Sequence, residues 1–486
     1  MIGRLRPREV TVSLRRRPVL VVMLLSAGTL LLGFLQRWPC HAAGWPGDYA
    51  ILMGDMCYSD IPLLYRGRVF HTGEFPFAVN PERYETLEYP VLTGFLADLA
   101  ARIARWLDGV DPSQPHDVAA VSVTFYEVNA ALLMLCGVVA VWATVRVAAR
   151  PRHALMFALA PSLALTSLIN WDLFAVMLAA VAVLCWARSQ PLLAGVFIGL
   201  GLAAKLYPVL LLGPLFLLCL RAGRMRPFVQ ALGGTFLAWG LVNLPVALIS
   251  PDGWAWFWVF NEQRGGEFGS LWYLLALAGQ PVAELNRIST ALFAVACLGI
   301  AVLAVRAPRR PRLAQLGFLA LAAFLVVNKV YSPQYVLWLL PFAVLARPNW
   351  RDWAIWQASE VAYWAAVWMH IGGYFGEQGW WYDIATVVRI LATLYLMAMV
   401  VRDVLQPEGD LGRLPDGEDP ASGVLRGAAD APPRWATAFA ARPTRSRPDA
   451  EHARPAMETV ESPRSSRGTY PPGERHVLAD NAVLGR

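Results

Sequence analysis

Charged residues are scarce in this sequence of 486 residues. Only 16% are Asp, Glu, Lys or Arg and 57% are hydrophobic, whereas soluble domains carry about 25% charged residues. The apolar runs are roughly 17–22 residues long, which is enough to cross a hydrocarbon core of about 30 Å. Because backbone groups in lipid must bond one another, these runs are predicted to be helices. The composition therefore predicts an all-α polytopic membrane protein.

Signatures of metal, redox and nucleotide chemistry are also missing. The sequence contains no CxxC pair, no HExxH and no Walker A motif, so we predict neither a metal site nor a cofactor. The formal charge of +7 resides in arginines of short loops and the C-terminal segment, and does not indicate a nucleic-acid partner. Cys40 and Cys57 share one predicted outer loop, and whether they form a disulfide stays open.

The arginines orient the predicted helices, because cytoplasmic loops carry the excess of positive charge. Residues 1–17 are predicted to be a basic cytoplasmic N-terminus, and residues 18–402 a membrane domain of about 12 helices. The first outer loop spans 37–121 and contains an amphipathic helix, 91–107, that suits the membrane interface. Residues 403–486 are rich in Pro, Arg, Asp, Glu, Ser and Gly and are predicted to form a disordered cytoplasmic tail.

Lysine is almost absent, since only Lys205 and Lys329 occur among 42 basic residues. Each is followed two positions later by a tyrosine, Tyr207 or Tyr331, and then by a proline. Both lysines fall at predicted outward hairpin tips, where the positive-inside rule disfavours a cation. One interpretation is that they reach out to lipid headgroups. We favour a site for a lipid phosphate or diphosphate, because an ammonium is a compact charge suited to phosphate.

Acids and aromatic residues gather in the predicted outer loops. The first loop contains Asp55 and Asp60, the second contains Arg264, and the third begins at His370; the last two loops are also rich in tryptophan. Carboxylates and arginines beside indole rings suit carbohydrate chemistry, although tryptophans also form belts at membrane interfaces. Asp60 follows the first span closely, and we interpret it as a candidate general base for an acceptor hydroxyl.

Five short motifs appear in an order that resembles a known family. The resemblance covers roughly residues 18–402 and is to the bacterial GT-C membrane glycosyltransferases, specifically glycosyltransferase family 87, the polyprenol-phosphate-mannose-dependent mannosyltransferases of actinobacteria. The motifs are Tyr58–Ser59–Asp60 with Leu64–Tyr65–Arg66–Gly67, Glu88–Tyr89–Pro90, Asn170–Trp171–Asp172, Ala204–Lys205–Leu206–Tyr207–Pro208, and Tyr331–Ser332–Pro333–Gln334–Tyr335.

This resemblance implies a GT-C-like, multi-pass enzyme of the cell inner (plasma) membrane with its active site on the extracytoplasmic side. It implies inverting transfer of a sugar, typically mannose, from a polyprenyl-phosphate donor to a glycolipid or lipoglycan acceptor. A pentose donor stays open. Asp60 best matches the base of the family, but the nearby Asp48 and Asp55 leave that assignment open. The residues expected to bind substrate are Lys205, Tyr207, Lys329, Tyr331, Gln334, Arg264, Asp172 and His370.

Two other classes of protein compete with an enzyme. A polytopic lipid or solute transporter, or a flippase, suits two similar outward hairpins, but transporters place polar residues near the membrane midplane. Here the predicted spans are nearly free of acids, and the polar residues gather on one side. A structural or assembly protein would explain the tail but not the outer acids and lysines. We therefore favour an enzyme.

Overall fold

A computed structural model of the protein describes residues 16–430, with the exception of 375, 377 and 378. Within this part of the chain every regular element is a helix and no strand forms, which confirms the all-α prediction for these residues. The predicted N-terminal segment 1–17 falls almost entirely outside the described residues. So does the predicted tail from residue 431 onward.

Nineteen α-helices form in the described part of the chain. They are α1 (Arg16–Gln36), α2 (Trp38–Ala42), α3 (Tyr49–Gly54), α4 (Asp60–Gly67), α5 (Val91–Leu107), α6 (Val118–Val147), α7 (Leu155–Ala158), α8 (Pro161–Thr166), α9 (Asp172–Ala187), α10 (Pro191–Ala204), α11 (Leu212–Arg221), α12 (Arg226–Ile249), α13 (Pro251–Gln263), α14 (Leu271–Leu277), α15 (Leu285–Arg306), α16 (Leu313–Val327), α17 (Val336–Ala346), α18 (Trp350–Ile371) and α19 (Trp380–Leu405). Short 3₁₀ helices cover Val69–His71, Pro151–Ala154, Tyr207–Leu211, Pro333–Tyr335, Pro407–Gly409 and Gly423–Leu425.

Five of these helices are long and apolar enough to cross a membrane, namely α1, α6, α12, α15 and α19. Shorter apolar helical stretches of 10–17 residues contain α9, α10, α11, α16 and α17. This pattern is consistent with a polytopic membrane protein. It does not confirm the prediction of about 12 spans, because helices of 10–17 residues fall short of the roughly 20 that a full span needs.

The helix breaks expected at the two lysine motifs are present. Helix α10 ends at Ala204 and helix α16 ends at Val327, and in each case a 3₁₀ helix that contains a proline, Pro208 or Pro333, follows. Proline has no N–H to donate and its ring clashes with the preceding turn. The breaks leave Lys205 and residues 328–332 outside regular helix.

Small residues bring α10 and α12 together. A Cβ atom on Gly195 would collide with the carbonyl of Ala231, and one on Gly199 would collide with the carbonyl of Thr235. Only glycine permits this close approach of two helix backbones. Gly195 and Gly199 form a GxxxG pattern, and the contact holds α10, which ends one residue before Lys205, against α12.

The first outer loop is well structured. A disulfide joins Cys40 to Cys57, which decides the alternative that the sequence left open. The predicted amphipathic helix forms as α5 with the expected bounds. Its Asp98 and Arg105, which the sequence places on the polar face, are buried, and Arg105 donates to the Phe70 carbonyl. Arg105 therefore packs against the loop, whereas Arg102, which pairs with Asp98 on the same helix, is largely exposed.

The prediction of disorder is wrong for residues 403–430. Helix α19 continues to Leu405, and the chain then folds back on the segment before α16. Arg312 forms a buried ion pair with Asp410 at 2.7 Å, and Arg309 pairs with Asp430 at 2.6 Å. The prediction rested on the average composition of the segment. That average does not show that two of its acids each have an arginine partner about 100 residues away.

Candidate active site

A cavity of about 590 Å³ lies where the first outer loop meets the ends of several helices. Several segments form its walls. They are residues 58–90 of that loop, the last residues before α9, the break after α10, the end of α13 and the loop that follows it, the 3₁₀ helix before α17, and the end of α18. The polar residues that line it are Tyr58, Asp60, Arg68, Glu85, Glu88, Tyr89, Asn170, Lys205, Asn261, Arg264, Glu267, Ser332, Gln334 and Tyr335.

Asp60 is the first residue of α4, and hydrogen bonds of Ser59 and of its own backbone fix its position. Ser59 caps the helix by accepting from Ile61 N, while the Ser59 hydroxyl donates to the Leu168 carbonyl at 2.8 Å. The backbone N–H of Asp60 donates to Ile169 O at 2.8 Å. These bonds dock the N-terminus of α4 onto residues 168–170, so the carboxylate faces the cavity.

Two neutral groups donate to the Asp60 carboxylate. The Tyr58 hydroxyl lies 2.7 Å from Oδ1, and Asn170 Nδ2 lies 2.8 Å from Oδ2. The same Asn170 nitrogen lies 2.5 Å from the Tyr89 hydroxyl, and Trp171 N donates to Asn170 Oδ1 at 2.6 Å. Because Trp171 fixes which end of the amide is oxygen, the NH₂ group must point to Asp60.

Burial raises the pKa of Asp60 above its ordinary value, while the hydrogen bonds from Tyr58 and Asn170 oppose that shift. Within the described part of the chain, no lysine or arginine forms an ion pair with this carboxylate. The three other acids that line the cavity, Glu85, Glu88 and Glu267, are each paired with an arginine. Lys205 also lowers the pKa of Asp60, but only through space and without a direct bond. Asp60 thus has the environment of a proton acceptor.

Lys205 follows the last residue of α10 and lines the same cavity. Its Nζ lies 2.9 Å from Oδ1 of the fully buried Asp172, which also accepts from Trp338 Nε1 at 2.6 Å. The rings of Tyr89, Tyr335 and Trp338 surround the ammonium at 5.7–6.0 Å from their centroids. The acid and the rings hold a cation at the cavity wall, where an anion can reach it.

Two arginines add further charge to the cavity wall. Arg264, at the end of α13, forms a bidentate pair with Glu267 through Nε and Nη2. Arg68 ends α4 and forms a bidentate pair with Glu88 at 2.8 and 2.9 Å, while its Nη1 contacts Glu85. Among the described residues, no group of three or more His, Cys, Asp or Glu side chains is arranged to hold a metal ion.

Four residues that the sequence predicted for the site line this cavity: Asp60, Lys205, Arg264 and Gln334. Asp172 lies directly behind Lys205 as its ion-pair partner rather than on the wall. Asp55 is exposed just after the end of α3 and does not line the cavity. Of the acids predicted as catalytic, Asp60 is therefore the one that faces the enclosed space.

Lys329 does not share the site of Lys205, although the two sequence motifs are alike. Its Nζ donates to the carbonyls of Asn261 and Glu262 and to Asn286 Oδ1 at 2.6 Å. The two carbonyls belong to the last turn of α13, which is the negative end of a helix. Lys329 therefore caps α13, and the structure does not bring it to the cavity that Lys205 lines.

Three aromatic residues predicted to bind substrate do not line the cavity. Tyr207 and Tyr331 are buried, and His370 is half-buried. Tyr207 stacks on Trp338 at 4.5 Å, Tyr331 faces the Arg389 guanidinium at 3.6 Å, and His370 stacks on Tyr382 at 4.2 Å. Arg389 also donates to the Tyr331 and Ser332 carbonyls. Tyr207 and Tyr331 support the wall from behind, because Lys205 and Gln334, close to them in the chain, line the cavity.

Sequence reasoning assigned no role to Asn170, Tyr89, Arg68 or Glu88, which all line the cavity. Asn170, Tyr89 and Glu88 belong to the short motifs noted above, which was the available signal. Their roles depend on contacts between segments that are far apart in the chain, and no local pattern reveals such contacts.

The middle of the chain, residues 118–328, matches the family model described as Glycosyltransferase family 87. No curated protein matches the chain significantly. The match covers less than half of the chain and supports a membrane glycosyltransferase. Asn170, Lys205 and Arg264 fall inside the matched range, whereas Asp60 and Gln334 fall outside it. The cavity joins both sets in one site.

Proposed function

We propose that this chain, whose residues 118–328 match glycosyltransferase family 87, transfers a sugar from a polyprenyl-phosphate donor to a glycolipid or lipoglycan acceptor. The sugar is mannose, the configuration at the anomeric carbon is inverted, and the reaction takes place at the outer face of the plasma membrane. Asp60 is the general base, and Lys205 with Arg264 binds the phosphate of the donor.

The observation that carries this proposal is the shared cavity of Asp60, Lys205 and Arg264. Two neutral donors hold the Asp60 carboxylate, and no lysine or arginine of the described residues forms an ion pair with it, so it is suited to accept a proton. Cations at the same cavity are suited to a leaving phosphate. The family match supports glycosyl transfer, and the cavity offers the two groups that such a transfer needs.

The chemistry proceeds in one displacement. The acceptor hydroxyl attacks the anomeric carbon from the face opposite the phosphate, and its proton passes to Asp60. The new C–O bond forms as the bond to the phosphate oxygen breaks, and the electron pair of that bond stays on the phosphate. Lys205 and Arg264 stabilise the negative charge that develops there. Attack from the opposite face inverts the configuration.

The test is sugar transfer by the purified full chain in nanodiscs. Radiolabelled polyprenyl-phosphate-mannose and a membrane glycolipid extract are supplied to wild type, Asp60→Asn and Asp55→Asn. We expect transfer by wild type and by Asp55→Asn, and a loss of at least 10³-fold in Asp60→Asn, because an amide cannot accept the proton. Asp55→Asn is the matched control, since it removes a carboxylate outside the cavity.

Other results would change the proposal in defined ways. Transfer by Asp60→Asn at the wild-type rate would remove Asp60 as the base. Absence of transfer by wild type would direct the assay to a polyprenyl-phosphate pentose. Failure with that donor as well would favour a polytopic lipid transporter or flippase, which flux of a labelled lipid across a proteoliposome membrane would reveal.

A further inference from the structure

We infer that the acceptor is an uncharged, hydroxyl-rich glycan and that it binds to a wall of the cavity formed by Arg68, Glu85 and Glu88. This inference rests on the proposed function and deepens it. It assigns the acceptor to one part of the cavity and the donor phosphate to another, and it excludes an acceptor with an anionic group at its reacting end.

The first argument comes from the two ion pairs that Arg68 forms. Its Nε and Nη2 donate to the two oxygens of Glu88 at 2.8 and 2.9 Å, and its Nη1 contacts Glu85. All three guanidinium nitrogens already contact a carboxylate oxygen, and two carboxylates share this arginine, whereas Arg264 pairs with Glu267 alone. Two carboxylates against one arginine give the wall a net charge of −1, and the Glu85 side chain is 76% exposed. Such a surface accepts hydroxyl hydrogens and repels anions.

The second argument is an amide without a partner. Gln334 lines the cavity and is 93% buried, since its exposed fraction is 7%. Its Oε1 atom is closed to solvent and has no hydrogen-bond partner among the described residues. A buried acceptor without a partner is costly. Gln334 thus adds a polar amide to the cavity wall, which suits a hydroxyl-rich ligand better than an apolar one.

The third argument is that Tyr89 lies between the proposed acceptor wall at Glu88 and the proposed phosphate site at Lys205. It follows Glu88 in the chain, its ring centroid lies 6.0 Å from Lys205 Nζ, and its hydroxyl is bonded to the amide of Asn170. That amide also holds Asp60. A glycan on the Glu88 side and a phosphate on the Lys205 side would therefore both lie near Asp60, as the displacement requires.

The inference is tested by binding, without turnover. The full chain in nanodiscs is titrated with a neutral manno-oligosaccharide and with the same oligosaccharide carrying a terminal phosphate monoester, in wild type, Glu85→Gln and Glu88→Gln. We expect wild type to prefer the neutral sugar at least tenfold. Each variant should weaken neutral-sugar binding about fivefold and strengthen binding of the phosphorylated sugar, because the wall loses its net negative charge. Glu74→Gln is the matched control, since Glu74 pairs with Arg83 in the same loop but does not line the cavity.

Equal binding of both sugars by wild type, or unchanged binding in Glu85→Gln and Glu88→Gln, would overturn the inference. Glu85 is largely exposed, so its variant remains informative if Glu88→Gln does not fold. The control titration uses polyprenyl-phosphate-mannose, whose affinity should change less than twofold in either variant. A shift in donor affinity instead of acceptor affinity would also overturn it. If the binding preferences are as predicted but wild type transfers no sugar, the result contradicts the proposed function and leaves the inference about binding standing.

Discussion

Asn170 Nδ2 lies 2.8 Å from Oδ2 of Asp60, although 110 positions separate the two residues. Asp60 belongs to the first outer loop, and Asn170 immediately precedes the residue that caps α9. The bond unites the candidate base with the part of the chain that matches the glycosyltransferase family. The site is therefore a product of how these two segments meet.

The hydrogen bond from Asn170 should set the pH dependence of activity. It favours the charged carboxylate and lowers the pKa of Asp60, against the effect of burial, which raises it. Asn170→Leu keeps the volume but removes the donor, so the pKa of Asp60 rises further. Since the base acts only when deprotonated, the acid limb of the kcat/KM profile should move to higher pH.

The profile is measured with labelled donor across the acidic and neutral range. Asn286→Leu is the control, because Asn286 bonds Lys329 outside the cavity, and its acid limb should stay at the wild-type position. An acid limb at lower pH in Asn170→Leu would contradict the assignment of Asp60.

The two lysines should behave differently in donor binding. Lys205→Ala removes the ammonium from the cavity wall, and a charge-assisted bond to phosphate is worth about 1.5–3 kcal/mol. We expect the Kd for polyprenyl-phosphate-mannose to rise at least tenfold. Lys329→Ala should leave that Kd within twofold and lower the thermal midpoint, because α13 loses its cap. Equal losses of affinity in both variants would restore the two-lysine site.

The C-terminal segment should contribute to stability through Asp410. Its pair with Arg312 is buried, with exposed fractions of 0% and 2% for the two side chains. Asp410→Ala leaves the arginine buried without its counter-ion, which costs about 3–5 kcal/mol. Asp416→Ala breaks the exposed pair with Arg426 and should cost less than about 1 kcal/mol. Thermal midpoints of both variants in detergent measure the difference, and similar midpoints would refute the buried pair.

The disulfide between Cys40 and Cys57 should stabilise the loop that carries Asp60. The cysteines are 17 positions apart, and closing a loop of that size is worth about 3 kcal/mol in the chain-entropy account. Cys40→Ser with Cys57→Ser should lower the thermal midpoint, whereas Cys297→Ser, at an exposed free cysteine, should not. Maleimide labelling of Cys40 and Cys57 in the wild-type chain without reductant would contradict the bond.

The sequence by itself determined the helical class, the amphipathic helix α5 and the two helix breaks. Those features follow from local rules: apolar runs long enough for lipid, and prolines that end a helix. Asp60, Lys205, Arg264 and Gln334 were found because rare charges and polar side chains in a membrane protein stand out.

Only the tertiary structure decided which of these side chains share a cavity. Lys205 and Lys329 have almost the same neighbours in the sequence, yet one faces the cavity and the other caps α13. Asp410 and Asp430 appear in a segment with a disordered composition, yet they meet Arg312 and Arg309. A side chain's partners depend on which distant segments pack against it. That packing is set by the whole chain at once, and no local pattern contains it.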